Sequence, residues 1–146
     1  MRGVDETLAK GDGARVQPLD PEQFHAPHGA DHVKDRIDGA DFVLEAVPEK
    51  LELKHEVFAE FEKHVAADAV LASNTSGIPI TKIQPVCSNP ERVVGMHFFN
   101  PVPLMKLVEV IRTVRTAPDV LREATAWCTA VGKTVVSCRS EEHTSE

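Results

Sequence analysis

No apolar run in this chain approaches the roughly 20 residues that a membrane-spanning helix needs. The opening Met1-Arg2-Gly3-Val4-Asp5-Glu6 also lacks the apolar segment of a secretory signal. No membrane partner is therefore expected, and the default setting is cytoplasmic. An excess of basic charge is missing too: 16 Lys and Arg stand against 23 Asp and Glu, a formal net charge of −7. Wholesale electrostatic binding to nucleic acid is not expected of such a chain. Cysteine is scarce, and Cys87, Cys128 and Cys138 are odd in number with no CxxC spacing. Neither a disulfide framework nor a zinc site is indicated, and the three read as reduced thiols. There is no Gly-x-Ser-x-Gly elbow, which argues against a hydrolase nucleophile. Gly11-Asp12-Gly13-Ala14-Arg15-Val16 begins like a dinucleotide-binding loop. It has no apolar strand before it and no third glycine in place, and a proline soon interrupts any helix, so it reads as a flexible loop. His25, His28 and His32 lie in a polar, Pro- and Gly-rich stretch and read as surface histidines rather than metal ligands.

What is present is an ordinary globular composition, 146 residues with 42% hydrophobic and 27% charged content, enough for one domain with a real core. Val4 and Leu8 suggest a turn or two of helix closed by Gly11, and Gly13, Pro18, Pro21, Pro27 and Gly29 punctuate a loop after it. From residue 31 the pattern sharpens. The spacing predicts the end of a helix over 31–37, a turn at Asp38-Gly39, and a strand over 41–47 that stops at Pro48. Apolar residues at 51, 53, 57, 58, 61 and 65 form a helical stripe over 51–66. A short apolar strand over 69–72, a short helix over 79–86 opened by proline, and a strand over 92–99 follow. A returning strand runs from about 106 to 111. Pro118 opens a helix that Gly132 stops, and 134–138 is a last strand. The order β-α-β-α-β-β-α-β predicts an α/β fold with a mainly parallel sheet.

Ligands of open α/β sheets sit at the carboxyl ends of the strands. Polar groups interrupt the apolar runs at three such ends: residues 45–49, Ser73-Asn74-Thr75-Ser76, and 97–100. A strand, a tight loop at Asn100-Pro101 and a returning strand can bring His97 and Glu109 together. A carboxylate at one imidazole nitrogen would leave the other as a general base. The same spacing also suits a half-buried histidine paired with a structural glutamate. Ser76 can hydrogen-bond a substrate oxygen or a cofactor amide, or cap the helix after it. Asn100 serves equally as a turn residue, Lys54 as a solvated charge on a helix face, and Glu49 as an acidic cap for the helix starting near Leu51.

Three blocks together carry a likeness to a known family: Asp41-Phe42-Val43-Leu44-Glu45-Ala46-Val47-Pro48-Glu49, Ala72-Ser73-Asn74-Thr75-Ser76, and Met96-His97-Phe98-Phe99-Asn100-Pro101-Val102-Pro103-Leu104-Met105-Lys106-Leu107-Val108-Glu109-Val110. With their spacings they resemble the NAD-binding domain of L-3-hydroxyacyl-CoA dehydrogenases, from about Asp38 to Cys138. The resemblance implies a Rossmann-like fold, NAD as cofactor, an acyl-CoA substrate, and the oxidation of L-3-hydroxyacyl-CoA to 3-ketoacyl-CoA in fatty-acid β-oxidation or a butanoyl pathway. It implies His97 as the catalytic base, Glu109 as the group that orients and supports its imidazolium, and Ser76 beside the reacting oxygen. Ala46, Glu49, Lys54, Ser76 and Asn100 match positions that line the NAD site. The family's first βαβ unit, whose glycine-rich loop holds the pyrophosphate, finds no match in residues 1–37. The family also continues into a helical domain that supports homodimerisation and covers the acyl chain. Residues 139–146, Arg139-Ser140-Glu141-Glu142-His143-Thr144-Ser145-Glu146, read as the in-frame translation of a sequencing adapter, a non-native tail. The expectation is thus a Rossmann-like domain over 38–138 truncated at both ends, weak or inactive alone. The alternatives are a non-catalytic truncated module and a related dehydrogenase acting on another hydroxy acid.

Overall fold

The computed structural model describes residues 37–140. The N-terminal helix and loop, the Gly11 segment, His25, His28, His32, all but the last residue of the 31–37 helix, and positions 141–146 lie outside the described residues. The described elements run β1 (Phe42–Glu45), α1 (Leu51–Glu62), β2 (Val70–Ser73), α2 (Ile80–Ile83), two 3-10 turns (Gln84–Val86 and Pro90–Arg92), β3 (Val93–Phe98), β4 (Leu107–Arg112), α3 (Pro118–Ala130) and β5 (Thr134–Arg139). The strands form one sheet in the order β1-β2-β3-β4-β5. β1, β2 and β3 are parallel, β4 returns antiparallel to β3, and β5 is parallel to β4.

Alternation along the strands divides the core between the two faces of this sheet. Val43, Leu71, Val93 and Ile111 pack with Val57, Phe58 and Phe61 of α1 and with Ile80 and Ile83 of α2. Val70, Ala72, Val94, Met96, Val108 and Val110 pack with Val120, Ala124 and Cys128 of α3 on the other face. Phe42 stacks on Trp127, with ring centroids 5.4 Å apart. Odd-numbered positions of β3 and β4 face α1 and α2, so His97 and Glu109 project on that face, as do Glu45 of β1 and Ser73 of β2.

Several elements are shorter than the periodicity predicts, each for a local reason. β1 stops at Glu45 because the Val47 amide turns to donate to the Glu45 carboxylate at 2.8 Å. The stretch after Pro79 breaks into α2 and a 3-10 turn, since Pro85 has no N–H to continue a helix. α1 ends at Glu62, and Ala66 N–H donates to Ala40 O, returning the chain to the sheet. At the other end β5 runs through Arg139, and the buried Ser140 hydroxyl accepts from Ile80 N–H at 3.1 Å. Burial pushes the thiols of Cys87 and Cys128 up to about 12, so both are packing groups rather than nucleophiles.

Candidate active site at the strand ends

His97 and Glu109 are directly opposed across the antiparallel β3–β4 pair. The imidazole Nδ1 lies 3.6 Å from Glu109 Oε1, with the side chains 18% and 24% exposed. That separation is longer than an ordinary hydrogen bond. The Cys138 thiol, from β5, donates to Glu109 Oε2 at 3.5 Å. The ring of Phe99 packs at 4.7 Å from that of His97, tilted by 48°. The sheet register thus places an imidazole, a carboxylate and a thiol on three successive strands, reaching solvent only in part.

The loops after β1 and β2 are tied together by a buried charge network. Glu45 and Lys54 are fully buried, and their side chains meet at 2.7 Å. Glu45 also accepts from the Ser73 hydroxyl at 2.6 Å and from Val47 N–H. The Lys54 ammonium approaches three acceptors, Glu45 Oε2 at 2.7 Å, Glu49 Oε1 at 3.2 Å and Val47 O at 3.2 Å. An ammonium has three donors and all three are committed. Burying a lone charge costs several kcal/mol, so this saturation is what permits a lysine in the core. The solvated-charge reading of Lys54 is therefore corrected: the side chain enters the core because Glu45 is buried there and Glu49 reaches it from the surface.

Glu49 links this network to the loop after β2. Its Oε2 accepts from the Thr75 hydroxyl at 2.9 Å, Ser76 N–H at 3.2 Å and Gly77 N–H at 3.0 Å, with the Ser76 hydroxyl at 3.5 Å. Burial is the largest single influence on this carboxyl and disfavours its charge. The Gly77 amide, the Thr75 hydroxyl and the Lys54 ammonium together outweigh it, and the group is held below its usual value. Glu49 does not cap α1, whose N-cap is Lys50 with no side-chain cap bond. Ser76 does not cap α2, whose N-cap is Pro79; the Ile78 amide donates instead to the Thr75 hydroxyl. The Asn74 side chain accepts from Phe98 N–H at 3.0 Å, joining the end of β2 to the end of β3.

Ala46, Glu49, Ser76 and Asn100 are exposed at the ends of β1, β2 and β3, with His97 half-buried beside them and Lys54 beneath. Sequence reading missed Glu45 as a site residue. Its signal was a single acid closing an apolar strand nine residues before a lysine. It also missed the thiol of Cys138 beside Glu109, which no local pattern announces. Among the described residues no group of three His, Cys, Asp or Glu side chains could hold a metal ion, and no helix is long and apolar enough to cross a membrane.

Carboxylate, hydroxyl, amide and imidazole groups stand at the ends of neighbouring strands of a mainly parallel sheet, the arrangement of a dinucleotide-type α/β domain. The family model of the 3-hydroxyacyl-CoA dehydrogenase NAD-binding domain matches residues 10–141, and the chain belongs to that family. The match begins ahead of the region where the motif blocks lie. Mouse mitochondrial hydroxyacyl-coenzyme A dehydrogenase is 43% identical over 103 residues, 70% of this chain and 33% of the relative. The crystal structure of 3-hydroxybutyryl-CoA dehydrogenase from Escherichia coli K12 is 44% identical with a TM-score of 0.67, covering 69% of this chain and 21% of that one. A crystal structure of an NAD-dependent pyridine-carboxylic-acid dehydrogenase, described as a dismutase, is 39% identical with a TM-score of 0.69, covering 72% and 34%. The chain thus spans about a third of the length of the curated relative. The cofactor of the domain is NAD. The strand ends expose groups able to donate and accept hydrogen bonds, as a dinucleotide requires.

Proposed function

We propose that this domain serves the NAD-dependent oxidation of an L-3-hydroxyacyl-CoA to the 3-ketoacyl-CoA. The observation that carries this reading is the cross-strand His97–Glu109 pair at the strand ends, beside the loop that Glu49 holds. With Nδ1 turned to the Glu109 carboxylate, the proton of the substrate 3-hydroxyl passes to Nε2 of His97. The adjacent carboxylate favours the imidazolium that forms, in a setting where partial burial strengthens the attraction. Ser76 hydrogen-bonds near the reacting oxygen, while Ala46, Glu49 and Asn100 line the cofactor site. Lys54 acts from below through Glu49, since its own donors are committed. When bound, NAD supplies the acceptor for the hydride leaving C3.

The setting we propose is fatty-acid metabolism in the cytoplasm, with an acyl-CoA as partner and the intact protein a homodimer. The named relatives support the CoA substrate. This polypeptide alone is a weak or inactive catalyst, in keeping with its spanning a third of the mouse relative. The roles are therefore tested in an intact dehydrogenase carrying this domain. His97→Ala and Glu109→Gln each lower kcat, His97→Ala by roughly 10²–10⁴-fold, the range for losing a general base; retention of full kcat by either variant overturns its role. A second reading keeps the site but changes the substrate to another hydroxy acid. The likeness to the NAD-dependent pyridine-carboxylic-acid dehydrogenase favours it. Comparing turnover of a 3-hydroxyacyl-CoA with that of the free hydroxy acid separates the two.

A further inference from the structure

The segment between His97 and Glu109 is anchored from an unexpected place. Of residues 100–107 only Val102 is buried, while Leu104 and Met105 are 77% and 40% exposed. Apolar packing therefore supplies one anchor for a loop that links the two halves of the candidate catalytic pair and opens with Asn100. Inside the loop, Leu104 and Met105 N–H both donate to Pro101 O, at 3.0 and 2.9 Å. Such a turn leaves its last carbonyls in need of donors. Lys133 provides them, its ammonium donating to Val102 O at 2.6 Å and to Met105 O at 2.8 Å.

The backbone at Lys133 is itself fixed. α3 ends at Ala130 and is closed by Gly132 at φ +81, Gly132 N–H donating to Thr129 O and Lys133 N–H to Cys128 O, the paired bonds of a Schellman cap. Thr134 N–H then donates to Lys106 O at 2.7 Å, and the β4–β5 ladder begins with Leu107 opposite Thr134. The lysine is thus held between a helix cap and a strand, and two charge-assisted bonds to carbonyl oxygens tie the tip of the loop to that support. Because both acceptors are backbone oxygens, the attachment sets where the loop sits rather than which side chains it shows.

We propose that Lys133 is a positioning residue that holds the 100–106 loop in the form used to bind the cofactor. This rests on the reading of Asn100 as part of the NAD site. It is tested by amide hydrogen exchange at Leu104 and Met105 together with NAD titration of the same proteins, followed by the amide shift of Asn100. In Lys133→Met, or Lys133→Gln should that variant fold poorly, exchange at both amides accelerates by at least about tenfold, the mark of a lost local anchor. NAD affinity falls severalfold alongside, and Lys133→Arg, which keeps the donors, restores both. Unchanged exchange overturns the proposal, and so does faster exchange with undiminished NAD affinity. If the unmodified chain shows no NAD-induced shift at any concentration, the cofactor reading fails instead, and the exchange rates alone decide whether Lys133 holds the loop.

Discussion

Glu49 divides its two oxygens between the inside and the outside of the domain. Oε1 meets the buried Lys54, and Oε2 gathers the hydroxyl of Thr75 and the amides of Ser76 and Gly77. Its carboxyl is held below the ordinary value of 4.5, so the folded state binds this proton less readily than the unfolded chain. The stability it contributes is therefore complete above about pH 4.5 and is lost as the pH falls through its folded value. Glu62, bound by Ser88 and Arg92, is likewise held low and works in the same direction. Glu49→Gln should lower the melting temperature near neutral pH and flatten its fall on acidification, as read by thermal melts across the pH range. A melting temperature that keeps the full acid slope in the variant would remove Glu49 from this role. At this scale the sequence was only partly legible. It marked His97, Glu109, Ser76 and Glu49 as chemistry-capable residues at strand ends. It could not show that Lys54 is buried, because a lysine among the charges of a helix looks solvated until its acceptors, supplied by a different element, are in view.

The strand-end arrangement depends on how closely α2 approaches the sheet. Gly95 sits in β3 two residues before His97, and a Cβ there would lie 2.9 Å from both Ile111 Cβ and Ile80 Cδ1. β3, β4 and α2 converge on this point, and the Ile111 contact involves the stem of a β-branched side chain that cannot swing away. Gly95→Ala should cost about 1–3 kcal/mol by overpacking, measurable by denaturant unfolding, and should disturb the opposition of His97 and Glu109 two positions along. A neutral substitution would mean that the elements are less tightly set than their contacts imply. The element order was legible throughout the described residues, because strand and helix periods are properties of contiguous sequence. Element ends were less so. β1 closes where a side chain captures the Val47 amide, and α2 gives way where proline withholds one. Both events turn on single hydrogen bonds that a periodicity does not encode.

Across the whole molecule, one face of the sheet packs on α3 and is apolar, while the other carries α1, α2 and the line of Glu45, Ser73, His97 and Glu109. The motif blocks reach the ends of β1, β2 and β3, and three separate stretches of sequence become one surface only through the sheet order. NAD is proposed to bind on that surface, at the ends of β1, β2 and β3. Mapping backbone amide shifts as NAD is added tests it most directly. Shifts are expected to concentrate at Ala46, Glu49, Ser76, His97 and Asn100, with the amides of α3 unmoved. Shifts centred on α3, or none at the three strand ends when NAD is bound, would contradict it.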